Sequence, residues 1–270
     1  MVRNRRRRAF ICGLLFCLVL FGISGVVLVR AYRQERANRL LTVAIKMGNT
    51  KAVSALLDAG ADANSCERSD TPFTIRQFFG DFLERLRPKA RASTAQAPAA
   101  PATPALLLLW SGSRCFPDPN NITAPQYNTV IARGLLEHGA DIHARDNEGH
   151  NALFLAAGES DPEMLQLLLD HGANVNDHEG EPLFYAVTQK RLENAVFLLE
   201  HGADASLHHR GSPTPLQWAV ITYNDPMAKL LLKHGADVNV TGWGSSAIVM
   251  ARGRGEDAVV QMLKRAGAKE

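Results

Sequence analysis

A short phrase, built around two leucines, a glycine and an alanine, recurs along most of this 270-residue chain. The glycines of successive copies from Gly139 to Gly267 stand 33, 30, 33 and 32 residues apart. Copies that agree in phase predict a tandem array, in which each unit buries its apolar face against the next. The copies are LLDAGADAN ending at Asn64, LLEHGADIH at His143, LLDHGANVN at Asn176, LLEHGADAS at Ser206, LLKHGADVN at Asn239 and the degenerate LKRAGAK near the end.

A second phrase lies between these copies. It reads NALFLAA at Asn151–Ala157, EPLFYAV at Glu181–Val187 and TPLQWAV at Thr214–Val220. These phrases resemble the TPLHxAA signature of ankyrin repeats, and the resemblance covers roughly residues 39–270. It implies an all-α ankyrin-repeat solenoid of helix-turn-helix plus β-hairpin units, in which the first and last copies act as capping repeats.

The local chemistry of each unit agrees with that fold. Thr214 can cap a helix whose first turn holds Pro215, where a missing N–H costs nothing. The glycine after each LLxxH run ends the second helix because glycine tolerates the left-handed conformation. Small residues allow neighbouring helices to approach closely, and paired leucines face the shared core. These residues are Ala156, Ala157, Ala186 and Ala219, with Leu168, Leu169, Leu231 and Leu232.

An apolar run without a charge occupies residues 9–29. At about 1.5 Å per residue, a helix of that length crosses a hydrocarbon core of roughly 30 Å. A cleaved signal peptide is the competing interpretation, but its apolar stretch is shorter and needs a small-x-small cleavage site. We therefore predict a basic tail at 1–8, one uncleaved transmembrane helix at 9–29, a juxtamembrane segment at 30–38 and the repeat domain at 39–270.

Charge indicates the orientation of that helix. Arg3, Arg5, Arg6, Arg7 and Arg8 precede the run, against four arginines just after it. The excess favours a cytoplasmic N-terminus, which places the repeats outside the cytoplasm, in the periplasm if the source is a Gram-negative bacterium. Setting those five arginines aside leaves 25 of the 30 basic residues against 27 acidic ones, so nothing in the charge indicates nucleic-acid binding.

The spacing breaks once, between Gly60 and Gly139, where an insertion falls at about residues 65–125. We predict a helix at Thr71–Arg87, a Pro/Ala-rich linker at 88–104 and a return to the repeat with TPALLLLW and a helix at Gln126–Glu137. An alternative makes 71–102 a degenerate repeat. A second irregularity, the short spacing from Gly172 to Gly202, predicts a clipped finger around Asp177–Gly180.

Two cysteines flank the insertion. In an oxidising compartment Cys66 and Cys115 could pair if the fold brings their α-carbons within about 6 Å, and two unrelated thiols are the equal alternative. Four cysteines in all are too few for a disulfide scaffold.

The residues predict no catalytic site, metal site, cofactor or small-molecule substrate, because no nucleophile elbow, phosphate-binding loop or metal-ligand motif is present. Four histidines occupy the same place before the helix-ending glycine, where a ring can meet the last carbonyls of its helix. The histidines of the fingers are interpreted as solvent-facing loop residues. The four repeated histidines are His138, His171, His201 and His234.

What the resemblance implies is a binding surface on the concave side, made of finger tips and inner helices. The positions that match it are Arg145, Asn147, Glu148, His150, Glu159, His178, Glu179, Gln189, His208, Arg210, Thr222, Thr241 and Trp243. Trp243 is either an exposed binding anchor or a ring folded back on the preceding hairpin, and Trp218 is predicted to be core.

The sequence therefore predicts a protein that binds another protein and contacts the lipid bilayer through residues 9–29, acting as a membrane-tethered scaffold or adaptor. The alternative is a periplasmic immunity or inhibitor-type protein that sequesters a toxin or protects an envelope enzyme. An enzyme hidden in the insertion is the third hypothesis.

Overall fold

Consecutive pairs of antiparallel helices build the molecule. The computed structural model describes residues 27, 29–66, 104–111, 125–208, 211–253, 255 and 257–269. Within these residues the fold is all-helical with no strands, a solenoid of stacked helix pairs. No described helix is both long and apolar enough to cross a membrane, and residues 1–26 and 28 of the apolar run and its basic tail lie outside the described part.

Six helix pairs follow one another in the described part, and we call the first helix of each pair inner and the second outer. The first pair is α1 (29–46) with α2 (Thr50–Asp58), and the second is a 3₁₀ turn (Ala105–Leu107) and α3 (Leu108–Ser111) with α4 (Pro125–Glu137). The third, fourth and fifth pairs are α5 (Ala152–Glu159) with α6 (Pro162–Asp170), α7 (Asp177–Thr188) with α8 (Leu192–Glu200), and α9 (Pro215–Ile221) with α10 (Asp225–Lys233). The sixth pair follows a 3₁₀ turn (Gly242–Gly244) and is α11 (Ala247–Gly253) with α12 (Asp257–Arg265).

The hydrophobic core is continuous along the array. Leu153, Leu168, Leu198 and Leu231 are fully buried, as are the alanines of the second phrase. Inner helices pack on inner helices and outer on outer, so each repeat covers the apolar face of its neighbour. The core predicted from the leucine and alanine pattern is confirmed.

Helix ends also follow the sequence signals. The Thr214 hydroxyl accepts a hydrogen bond from the Gln217 backbone N–H at 3.1 Å, and Pro215 opens α9 as predicted. Glycines after the outer helices take left-handed backbone angles, for example a φ of 90° at Gly202.

The predicted β-hairpin fingers are wrong within the described residues, because turns connect the pairs and no strand forms. The Asp141 carboxylate accepts the backbone N–H two residues later at 2.9 Å. Asp204 and Asp237 do the same, at 2.8 Å each. This side-chain bond satisfies the turn without a partner strand, so the finger needs no ladder.

The clipped finger does lie at Asp177–Gly180. Those residues form an irregular first turn of α7, in which His178 and Gly180 have φ of 46° and 85°. Gly180 also lies against the Leu207 side chain, so a larger residue would meet both strain and a clash.

Asparagines at the end of three of the repeated phrases, Asn64, Asn176 and Asn239, tie successive repeats together. Asn176 Nδ2 donates to the Gly202 carbonyl at 3.0 Å, and its Oδ1 accepts from the Asp204 N–H at 2.8 Å. Asn64 makes the same pair of bonds to Gly139 and Asp141. One side chain therefore bridges two finger backbones.

Replacing Asn176 with alanine should lower the free energy of unfolding by about 1 kcal/mol, because two hydrogen bonds are exchanged for bonds to water. Urea unfolding of the full chain measures the change. Asn147→Ala is the matched control on an exposed finger position and should change stability by less than about 0.5 kcal/mol. Equal effects of the two substitutions would contradict the bridge.

The first helix replaces a missing preceding repeat. Residues 30–38, assigned from sequence to a separate juxtamembrane segment, are continuous with the inner helix of the first repeat. Gln34 Nε2 donates to the Gly60 carbonyl at 2.7 Å, and Asn38 Oδ1 accepts from the Asp62 N–H at 2.9 Å. These are the two bonds that a finger asparagine makes elsewhere, so α1 caps the array.

The insertion leaves and rejoins the array at one point, where Cys66 and Pro104 form an isolated bridge. The structure has helical turns at Ala105–Ser111 and a helix at Pro125–Glu137, where the sequence predicts the return of the repeat at 103–110 and its second helix at Gln126–Glu137. The predicted helix at 71–87, the predicted linker at 88–104 apart from Pro104, the degenerate-repeat alternative and Cys115 lie outside the described residues. The pairing of Cys66 with Cys115 stays a prediction.

Candidate functional site

The inner helices and the turns that precede them form one side of the solenoid, which we call the inner face. Aromatic rings cross this face over four repeats. We call them the aromatic ridge, and its members are His150, Phe154, Phe184, Tyr185, Trp218 and Trp243.

The first half of the ridge is a stack of flat rings. His150 lies on Phe154 with centroids 4.1 Å apart, and Phe154 lies on Tyr185 at 4.3 Å. Gly158 makes this possible, because a Cβ there would collide with the Tyr185 ring. The Tyr185 hydroxyl donates to Glu159 at 3.2 Å, which fixes the end of the stack.

The second half of the ridge uses edge-to-face contacts. Trp218 lies 5.9 Å from Phe184 and 6.3 Å from Trp243, each at an interplanar angle of 67°. The prediction that Trp218 is core is corrected: its ring is only half-buried, because α9 turns it toward the inner face. Its indole Nε1 is nevertheless buried and has no hydrogen-bond partner among the described residues.

Gln217 positions the finger that carries Trp243. The side chain is fully buried, and its Oε1 accepts from the Thr214 N–H at 2.8 Å. Its Nε2 donates to the carbonyls of Ser245 at 2.6 Å and Val240 at 3.1 Å. A buried amide with these partners fixes one conformation of residues 240–245.

Trp243 stands at the tip of that finger with 57% of its surface exposed. Its φ of 49° is left-handed, a conformation that costs a bulky residue of order 1 kcal/mol or more. The ring contacts Trp218 by its edge and still presents most of its area to solvent, and its role as a binding anchor stays a prediction.

A groove of about 240 Å³ opens between the two halves of the ridge. Three aromatic side chains, one carboxylate and two histidines line it, with no lysine or arginine among the lining residues that the structure describes. The lining residues are His150, Phe154, Glu181, Phe184, Tyr185, Thr188, His208 and Ser212.

The structure places the residues that the repeat register predicted for partner binding as follows. His150 and His208 line the groove, Glu159 bonds Tyr185, and Trp243 ends the ridge. Exposed positions that do not line the groove are Asn147, Glu148, His178, Gln189 and Thr241, and the Thr222 hydroxyl donates to the Trp218 carbonyl at 2.8 Å. The side chain of Glu179 and residue Arg210 lie outside the described part.

Arg145 forms hydrogen bonds within the solenoid that connect two repeats. Its guanidinium donates to the Gly149 carbonyl at 2.7 Å and to the Asp177 carboxylate at 2.5 Å. Asp177 also accepts from Asn151, so one carboxylate ties two repeats together. An arginine held at both ends of its guanidinium is poorly placed to anchor a partner.

The repeated histidines have the structural role that their position predicted. In His138, His171 and His201 the ring Nδ1 lies 2.8–2.9 Å from the carbonyl four residues earlier. A carbonyl only accepts, so Nδ1 carries the proton. Within the described ranges no group of three His, Cys, Asp or Glu side chains converges as metal ligands do.

Sequence reasoning missed most of the ridge. Phe154, Phe184 and Tyr185 were read as part of the TPLHxAA-like phrase, which is a folding signature. Gln217 stands at the position of the signature histidine, and the phrase alone does not show its bonds to residues 240–245. The available signal was the run of aromatic residues at matched places in three successive phrases.

Two models of known protein families match parts of this chain. Residues 122–209 match a model described as ankyrin repeats (3 copies), and residues 214–243 match a model described as ankyrin repeat. The chain is 36% identical over 179 residues to the mouse B-cell lymphoma 3 protein homolog, an alignment that covers 60% of this chain and 40% of that protein. The chain thus spans well under half the length of this relative.

Two solved structures share the fold. The ankyrin repeat domain of Bcl-3, a member of the IkappaB protein family, aligns with a TM-score of 0.58 and 27% identity over 85% of this chain and 86% of that one. An ankyrin repeat domain from Acinetobacter baumannii aligns with a TM-score of 0.61 and 21% identity, covering 85% and 98%. The second likeness shows the fold alone.

Proposed function

We propose that this chain is a membrane-tethered scaffold that binds its partner protein on the aromatic ridge, because residues 122–209 and 214–243 match models of ankyrin repeats, which form protein–protein interaction modules. Binding, without catalysis, is its proposed activity.

The aromatic residues of the ridge are the main reason for placing the binding surface on the inner face. The ridge gathers one tyrosine and two tryptophans on one face, the residue types that most often anchor protein interfaces. Trp243 is mostly exposed in a strained conformation, and the buried Nε1 of Trp218 has no hydrogen-bond partner in the described part. An exposed ring kept in place at a cost to stability is typical of a binding site.

The proposed tether is the apolar run at residues 9–29. It is followed at once by α1, whose Gln34 and Asn38 are bonded to the first finger. The arginines at the start of the chain favour a cytoplasmic N-terminus and a solenoid on the other side of the membrane.

Paired reporters test the tether and its orientation. One reporter active only outside the cytoplasm and one active only inside are fused to the C-terminus of the full chain. We expect signal from the external reporter and recovery of the fusion with membranes. Signal from the internal reporter would reverse the orientation, and a fusion that stays in the aqueous fraction would end the tether proposal.

Site-specific cross-linking tests the binding surface. A photoreactive phenylalanine replaces Trp243 or His208 on the inner face, or Glu163 or Glu193 as exposed controls on outer helices. We expect the same adduct from both inner positions and none from the controls. An adduct from the outer positions alone would reject the ridge as the binding surface.

A further inference from the structure

The groove on the inner face combines two features that attract the same kind of group. Aromatic rings line it, and the face of a Phe or Tyr ring carries partial negative charge that attracts cations. Phe154 is stacked between His150 and Tyr185, so a cation would lie on Phe184 or on the other face of Tyr185. Glu181 lines it with a side chain that is 28% exposed, so the carboxylate is reachable from solvent without being fully hydrated.

Several carboxylates lie near the groove in the described part of the chain. Asp146 and Glu148 lie within 3.5 Å of the His150 ring, and Glu159 lies at the Tyr185 hydroxyl. Arg145, a cation close to these groups, is already bound to Asp177. No lysine or arginine among the described lining residues neutralises Glu181, which has the His178 ring at 3.6 Å.

This combination discriminates between partner side chains. An acidic side chain would face several carboxylates, and an aliphatic one would cover Glu181 without pairing its charge. A lysine ammonium would pair with the Glu181 carboxylate but has no flat group to lie on an aromatic ring. An arginine satisfies both, because a guanidinium lies flat on an aromatic ring while its N–H groups reach a carboxylate.

We propose that the groove between Phe154, Tyr185 and Phe184 receives an arginine side chain from an extended segment of the partner, and that Glu181 pairs with its guanidinium. This inference rests on the proposed function, because it names the partner chemistry of the same inner face. The volume of about 240 Å³ suits one long side chain and excludes a folded element.

A pair of peptides tests it on the full chain in detergent micelles. One is a capped pentapeptide with a central arginine flanked by serine and glycine, and the other has citrulline, the neutral analogue of arginine, at that position. Ring resonances of Phe154, Phe184 and Tyr185 are followed by NMR. We expect saturable shifts with a dissociation constant on the order of 1 mM for the arginine peptide and about tenfold weaker binding of the citrulline peptide.

Two variants test whether the Glu181 carboxylate is the group that pairs with the arginine. Glu181→Gln should weaken binding of the arginine peptide by about tenfold, whereas Glu163→Gln on an outer helix should leave it within about twofold. Urea unfolding verifies that both variants are folded. Equal binding of the two peptides, an unchanged affinity of Glu181→Gln, or no ring shifts up to about 20 mM arginine peptide would each overturn the proposal.

Different results would reject the proposed binding surface and the proposed arginine partner. If cross-linking captures a partner at Trp243 and His208 while the arginine peptide leaves the rings unmoved, the inner face still binds a protein and the arginine assignment is wrong. If the outer positions capture the partner, the proposed function fails, whatever the peptide does.

Discussion

Substituting leucine for Gln217 should lower the free energy of unfolding by about 3 kcal/mol and release the finger that carries Trp243. Leucine has a similar volume, so the core stays filled. The carbonyls of Val240 and Ser245 and the N–H of Thr214 would lose their buried partner, and each unpaired buried group costs about 1–3 kcal/mol before relaxation.

Urea unfolding gives the stability change, and amide hydrogen exchange in residues 240–245 reports the release of the finger. Gln166→Leu is the control, because Gln166 is exposed on α6 and bonds only the side chain of Asp170. It should change stability by less than about 0.5 kcal/mol. A Gln217→Leu variant that loses under about 1 kcal/mol, with exchange in the finger unchanged, would show that the amide does not hold the finger.

Removing the Trp243 ring should weaken partner binding by about thirtyfold or more, the loss typical of an interface anchor. Glycine is the informative replacement. The left-handed φ of 49° strains tryptophan but not glycine, so relief of strain offsets the greater freedom of glycine in the unfolded chain. Trp243→Gly should therefore unfold within about 1 kcal/mol of the parent chain.

Titration of the Trp243→Gly variant with the partner captured by cross-linking measures the loss of affinity, and urea unfolding measures its stability. Tyr223→Gly is a matched control, since Tyr223 is also exposed and left-handed, with a φ of 57°, but lies in the turn between α9 and α10, away from the ridge. It should leave affinity within about threefold. Equal losses from both substitutions would mean that Trp243 is not an anchor.

The phase of the repeats could be predicted because it rests on local chemistry. A leucine pair, a helix-ending glycine and the Thr-Pro start of α9 each specify one conformation, and the structure has them where the sequence places them. The clipped finger also followed from counting residues between Gly172 and Gly202.

Two features of the fold depend on contacts that a repeat pattern does not contain. The fingers form no strands in the described part because aspartate side chains close the turns first. The helix at 29–46 runs past the expected start of the first repeat because Gln34 and Asn38 find partners at residues 60 and 62. The turn bonds come from aspartates of the repeated phrase whose role the phrase alone does not show, and the helix bonds come from Gln34 and Asn38, which lie outside the repeated phrases.

The candidate site was predictable only in part for the same reason. Register placed His150, His208 and Trp243 on the inner face, where the structure has them, since a repeat fixes which side a position occupies. It also placed Arg145 there, but the bond to Asp177 comes from the next repeat and is invisible in a single unit. The ridge itself depends on Gly158 leaving room for Tyr185, a long-range fit.

The most direct test of the account is hydrogen exchange on the full chain, alone and saturated with the partner captured by cross-linking. The account predicts slower exchange in the inner helices α5, α7 and α9 and in residues 240–245, with the outer helices α6, α8 and α10 unchanged. Slower exchange confined to the outer helices, with the aromatic ridge unaffected, would contradict it.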